Sequence, residues 1–209
     1  MKNRQTPTPK ICYTAGGILI HEKKVLLVKH KKLGIWLNPG GHIDADELPH
    51  HAAEREFFEE TGILVEAIDA FDLPVFSKSE KNFSLVNKQA NGESNRQSNE
   101  QIQRWGVFQP NPILTNLHWV NKESYNLRLQ SENLEQRQPT KTWKRGCEQH
   151  VSFFFLLRPL AGVTFIQNLA ETDGIAWFGL EEIAHLETQQ NIRTEIELGF
   201  TLSALTQTD

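Results

Sequence analysis

From Tyr13 to Ile43 the chain is a series of short apolar runs punctuated by glycine. TAGGILI and KVLLVKH read as two strands joined by the polar turn His21–Lys24. IWLNPGGHI reads as a third strand ending in a Pro-Gly-Gly turn. A helix follows. Pro49 suits its first turn, where a missing N–H costs nothing. Gly62 supplies the left-handed position that often stops a helix. EAIDAFDLPVFS predicts a further strand, with Pro74 at an edge or bulge.

At Lys78 the texture changes. About half of the residues in Lys78–Arg104 are Asn, Gln or Ser, a composition poor in core formers. Apolar character returns in WGVFQPNPILTNLHWV and fades again through Asn121–Lys144. VSFFFLLRPL reads as a buried strand, with Phe153, Phe154 and Phe155 alternating between its faces, and GIAWFGL as another. Glu181–Leu186 predicts a helical turn or two, and Ile196, Phe200, Leu202 and Leu205 a final amphipathic helix. The order is mixed α+β. The expectation is one domain over residues 1–209, with an Asn/Gln/Ser-rich inserted loop at about 78–148.

The helix from Pro49 carries the candidate chemistry. At 100° per residue Glu56, Glu59 and Glu60 fall within an arc of about 100°. Glu56 and Glu60 are like charges one turn apart, a pairing that costs a few tenths of a kcal/mol on a bare helix. A solvated acidic face with Arg55 nearby is one reading. The adjacent Pro-Gly-Gly turn favours another, since backbone carbonyls beside carboxylates are what hard divalent cations prefer. Ala52 and Ala53 lie on the same face one turn earlier, and their small side chains are expected to leave room for a ligand.

The spacing across this stretch is Gly41, five residues, Glu47, seven residues, Arg55-Glu56-Phe57, one residue, Glu59-Glu60, one residue, Gly62-Ile63. It resembles the Nudix box at every fixed position. The resemblance is tight over Gly40–Ile63, looser over the flanking strands, and lapses over about Lys78–Cys147. It implies a Nudix-type α/β/α sandwich with a mixed central sheet, and hydrolysis of a diphosphate linked to another moiety. It also implies that Glu56, Glu59, Glu60 and the Gly40 carbonyl hold magnesium or manganese, and that Glu47 and Arg55 fix those glutamates in place. Families of this kind often add an acid before the late Trp-containing strand. Glu171 is the candidate here and Asp173 the second, against an ordinary polar loop acid. The general base is then Glu59, Glu60 or Glu171, and the sequence does not choose among them.

Other features narrow the partner. Net charge is −4 and pI about 6.1, with no lysine–arginine stripe, so nucleic acid polymers are not expected. The polar MKNRQTPTPK lacks the apolar run of a secretory signal, and no segment reaches the ~18–20 apolar residues of a membrane span. Cys12 and Cys147 are too few and too far apart in sequence for a disulfide scaffold or a zinc site. A reduced, cytoplasmic protein acting on a small-molecule nucleotide or diphosphate is the expectation, with a homodimer compatible. His50 and His51 read as surface or flank histidines, Trp36 as core or strand surface rather than a base-stacking platform, and a phosphate contact by His42 as the lesser of its two readings. Lys141, Lys144 and Arg145 read as a solvated basic run. The markers of ADP-ribose, diadenosine-polyphosphate and coenzyme A hydrolases are missing, so the substrate is not readable. Two other functions compete. A non-catalytic Nudix-fold binding or regulatory module commonly has a broken box, and this box is whole. A diphosphate isomerase needs a reactive cysteine near the pocket, which neither cysteine supplies by its place in the sequence.

Overall fold

A computed structural model describes residues 8–70, 75–79, 82–86, 109–130 and 146–206, and of the strands at 75–79 and 82–86 only the backbone. The core is a mixed sheet. Strands β1 (Ile11–His21) and β2 (Lys24–His30) form a hairpin in which His21 pairs with Lys24. Glu22 and Lys23 both have positive φ, which gives the tight turn a twist matching that of the strands. The segment read as one third strand is two. Trp36–Leu37 (β3) pairs with β2, and Gly40–His42 (β4) pairs with β1, so the chain crosses between neighbours at Asn38-Pro39. Pro39 cannot donate a ladder hydrogen bond, and the break falls there.

Helix α1 (Pro49–Thr61) starts and stops as its sequence predicts, with Pro49 in the first turn and Gly62 at φ 73°. EAIDAFDLPVFS also divides: β5 (Val65–Ile68) joins the main sheet, whereas β6 (Val75–Ser79) pairs only with β7 (Asn82–Val86). Pro74 lies outside the described residues. Beyond them, β8 (Leu114–Trp119), α2 (Lys122–Gln130), β9 (Gln149–Pro159), β10 (Thr172–Gly179), a short α3 (Leu180–Ile183) and α4 (Gln190–Thr206) complete the order. The sheet runs β10-β2-β1-β9-β5, with β3 on β2, β4 on β1 and β8 on β9. The β1–β9 pair is parallel and the other pairs are antiparallel.

Both faces of this sheet are covered, which is why ILI, VLLV and FFFLL read as unbroken apolar runs. On one face Ala15, Leu19, Leu26 and Phe155 pack under α1 through Ala52, Ala53 and Phe57. Ala52 and Ala53 are fully buried. Their small side chains let α1 sit close on the sheet, and the space expected for a ligand there is filled by the core. On the other face Ile18, Val25, Leu27 and Leu156 pack with Ile192, Ile196 and Leu202 of α4. Leu205, expected on that apolar stripe, is 65% exposed. No helix among the described residues is long and apolar enough to cross a membrane.

The segment at 78–148, read as an elaborated loop, contributes β8 to the sheet and the helix α2. That helix has almost no apolar stripe, and its anchors are polar. The Asn121 side-chain oxygen accepts from the Ser124 N–H at 3.0 Å, capping the first turn. Arg128 reaches the fully buried Glu148, its Nε donating to Oε1 at 2.7 Å and its Nη2 to Oε2. The same Oε2 accepts from the Lys10 N–H at 2.9 Å, so one carboxylate ties α2 to the entrance of β1. Truncating one partner of a buried pair strands the other charge. Arg128→Ala is therefore expected to lower unfolding stability by about 3–5 kcal/mol, read from urea midpoints. A loss below about 1 kcal/mol, the size of a surface pair, would show that Glu148 finds another partner.

Candidate active site

Three parts of the fold meet at the candidate site: β4 with its two glycines, α1, and the loop entering β10. Gly40 lies opposite Gly16 of β1 in the ladder, and its N–H donates to Glu60 Oε2 at 3.1 Å. A Cβ on Gly41 would fall 2.3 Å from the Glu56 carboxyl carbon. Only glycine leaves that space to the carboxylate. The loop before β10 closes over the end of α1, where the Asn168 N–H donates to the Glu60 carbonyl at 3.3 Å and Asn168 Nδ2 to the Glu59 carbonyl at 3.2 Å. Glu171 follows, exposed, its N–H donating to the Asn168 carbonyl at 3.2 Å.

Arg55 organises the acidic set. Its Nε and Nη2 grip Glu47 at 2.8 and 2.9 Å, a bidentate pair. Nη1 donates to Glu56 at 2.8 Å and to Glu59 at 3.3 Å, and Nη2 also reaches the His42 carbonyl at 3.0 Å. The Asp44 N–H donates to Glu47 Oε2 at 2.9 Å, fixing the far end of the clamp. The Arg55 hydrogen bonds hold the Glu47 carboxyl below its usual range. Glu56 moves up, because burial outweighs the attraction of Arg55 and Glu59 and Glu171 repel. Glu60, 6% exposed, is raised to about 8 by burial first, with Glu56, Glu171 and Glu59 adding to it against the Gly40 N–H. Glu171 thus faces the set, whereas Asp173 is not among the groups acting on Glu56 or Glu60.

One guanidinium stands against Glu47, Glu56, Glu59 and Glu60, and the donors are all oxygen. That chemistry fits a hard divalent cation, as does the glycine cradle beside Glu56. Among the described residues, the three His, Cys or carboxylate donors that gather within 4.8 Å of one another lie elsewhere: Cys12, His42 and Cys147. The glutamates stand wider, as like charges spread around one arginine do.

The surroundings hold residues that the sequence reading misplaced or missed. Cys12 and Cys147 are joined as a disulfide, with Cα atoms 5.8 Å apart across 135 residues. The expectation of a separation too great to bridge fails, because parallel pairing of β1 with β9 places Cys12 beside His150, just past Cys147. His42 turns its ring to this pair, Nε2 lying 3.3 Å from Cys147 Sγ, rather than toward the carboxylates. Burial pulls the neighbouring His150 down to about 4. Cys12, Tyr13, His42, Ile43, Asp44, Pro49 and Phe153 line an open groove of about 480 Å³. Glu195 of α4, buried, accepts from Asn116 Nδ2 at 2.6 Å, and burial raises it to about 7. A polar residue on an apolar helix stripe was the signal for it. His50 is buried against Phe155 on the flank of α1, and Trp36 packs edge-on to Phe178. Lys141, Lys144 and Arg145 lie outside the described residues.

The NUDIX domain family model matches residues 11–130, more than half of the chain. The chain belongs to the Nudix family. It is 38% identical to an 8-oxo-dGTP diphosphatase from Buchnera aphidicola subsp. Acyrthosiphon pisum (strain APS) over 68 residues, 32% of this chain and 55% of that protein. It is 36% identical to a MutT-like protein from Streptomyces ambofaciens over 62 residues, 29% of this chain and 40% of that one. The chain thus spans about half the length of the curated relatives it matches. A hydrolase of the NUDIX family from Clostridium perfringens shares the fold at a TM-score of 0.60 and 21% identity, over 91% of this chain and 97% of that one.

The raised Glu60 gives a pH signature in the metal-free protein. Between 4.5, the ordinary carboxyl value, and about 8 the folded chain holds a proton that the unfolded chain has lost. The Glu60 contribution to stability is complete below that window and is lost as pH rises through it. Glu195 acts in the same direction and the buried histidines act oppositely below 6.5. The readout is therefore the melting temperature of wild type minus that of Glu60→Gln in chelator, which should fall across the window. A flat difference would place Glu60 in a wetter, less crowded setting.

Proposed function

We propose that this chain is a divalent-metal-dependent pyrophosphohydrolase that cleaves the diphosphate linkage of a nucleotide or nucleoside-diphosphate derivative. The observation that carries the reading is the Arg55 clamp, which holds Glu47, Glu56 and Glu59 around the glycine turn with Glu60 anchored on the Gly40 N–H. Glu56, Glu59, Glu60 and the Gly40 carbonyl would hold magnesium or manganese. Such ions, when bound, neutralise phosphate charge and lower the pKa of an attacking water.

The chain's own residues divide the remaining work. Glu47 and Arg55 position, since their fork contacts set the Glu56 and Glu59 carboxylates at fixed places on α1. Glu60 is buried and tied to a backbone N–H, so it holds rather than shuttles. Glu59 is half exposed and Glu171 exposed. Either can take a proton from water at the mouth of the site, as a general base must. An excess of carboxylate repels a bare polyphosphate, so a substrate arrives with its charge already balanced. The occupant is a small molecule, in keeping with a net charge of −4 and no basic stripe for a polymer. The relatives' 8-oxo-dGTP diphosphatase name puts nucleoside triphosphates first among substrates to try. A single domain in a cytoplasmic setting goes with this reading.

The test is release of phosphate, pyrophosphate or nucleoside monophosphate from nucleoside triphosphates, ADP-ribose, nucleotide sugars, dinucleoside polyphosphates and NADH, with magnesium and with manganese. Turnover should depend on metal and fall at least ~100-fold in Glu59→Gln and Glu60→Gln while both stay folded. Near-normal turnover in either variant would move the metal site elsewhere. Nucleotide binding without turnover would instead make the chain a binding module.

A further inference from the structure

Two cysteines and two histidines meet on the α4 side of the sheet, beside the proposed hydrolytic centre but built from different donors. Cys12 of β1 lies in register with His150 of β9, and Thr14 with His42 of β4. Residues two apart on a strand share a face, so Cys12, His42 and His150 project together. Gly146, at φ 66°, turns the chain so that Cys147 joins them. One donor atom from each of Cys12, His42 and Cys147 lies within 4.8 Å of the others. The His150 ring stands edge-on to His42 with centroids 4.9 Å apart. Cys147 is 1% exposed, so a ligand bound there would be shielded.

We infer that Cys12, Cys147 and His42 form a redox-gated zinc site of three protein donors, with the fourth position left to solvent and the His150 ring packed beside it. Two thiolates and an imidazole nitrogen, completed to a tetrahedron by a water, are donors that zinc takes, while magnesium and manganese take oxygens such as those around Glu56. The structure holds the site in its closed, disulfide state. A dithiol reductant supplies two electrons and two protons, breaks the S–S bond and leaves two thiols. Zinc then displaces the two thiol protons to solution and bonds both sulfurs. A cysteine pair in a reducing compartment serves metal binding more often than structural bridging. The site also bears on the hydrolytic centre, because the His42 carbonyl accepts from Arg55 Nη2 at 3.0 Å. Ligation of the His42 ring would pin the strand that carries Gly40 and Gly41. The inference stands on the strand register and does not need the hydrolytic reading.

Cobalt serves as the spectroscopic stand-in for zinc. The full chain, reduced and stripped of metal, is titrated with Co²⁺ and followed for the thiolate-to-cobalt charge-transfer band and the visible bands of tetrahedral cobalt. The expected result is one equivalent bound with both features, displaced by zinc, and no thiolate band in protein oxidised with diamide. Cys12→Ser and Cys147→Ser should lose the band and Glu56→Gln should keep it. Should the serine variants fail to fold, His42→Asn reports in their place, with affinity weakened roughly tenfold or more. Reduced wild type without a thiolate band overturns the site, as does a band that survives in Cys147→Ser or binds as tightly in His42→Asn.

Discussion

The guanidinium of Arg55 is the interaction on which the candidate site depends. Four glutamates from one short stretch crowd a half-buried corner, and their mutual repulsion would splay the side chains into solvent. Arg55 is the counterion built into the chain, and it is spent on five hydrogen bonds to Glu47, Glu56, Glu59 and the His42 carbonyl. A planar fork suits this task, because it grips one carboxylate with two bonds while a third nitrogen edge faces two others. One positive charge against several negative ones leaves a deficit. That deficit adds to burial, the larger cause, in the upward shifts of Glu56 and Glu60.

The clamp works only because its platform is rigid. Ala52, Ala53 and Phe57 bury the sheet-facing side of α1 in the core, on the same face as Glu60, so the helix cannot roll away from the glycine turn. The loop before β10 pins the last turn of α1 through Asn168, and Gly62 ends the helix with its N–H on the Phe58 carbonyl at 2.7 Å. Burial of Glu60 follows from the same packing. Its position next to Thr61 and Ile63, both in the core, denies it water and leaves the Gly40 N–H to answer it.

Sheet register governs what stands beside this corner. β1 is the hub, pairing in parallel with β9 along nine residues and antiparallel with both β2 and β4. A parallel neighbour must come from far along the chain, since the connection between parallel strands is long. The hub therefore gathers Cys12, His42, Cys147 and His150 from three separate stretches. The buried Arg128–Glu148 pair secures the same edge, and it links α2 to Lys10 at the start of β1.

The sequence by itself determined what is local. The spacing from Gly41 to Ile63 sets three carboxylates on one helical face, Pro49 and Gly62 bound the helix, and short apolar runs mark β1, β2, β9 and β10, because helix and strand periods act over a few residues. Tertiary structure decided the rest. It split 36–42 between two partner strands, gave Ala52 and Ala53 to the core, and drew α2 from a stretch with no apolar stripe through a buried ion pair. It also joined Cys12 to Cys147 across 135 residues. No local pattern encodes these outcomes, because each is fixed by which distant strand lies alongside, and register is a property of the whole sheet.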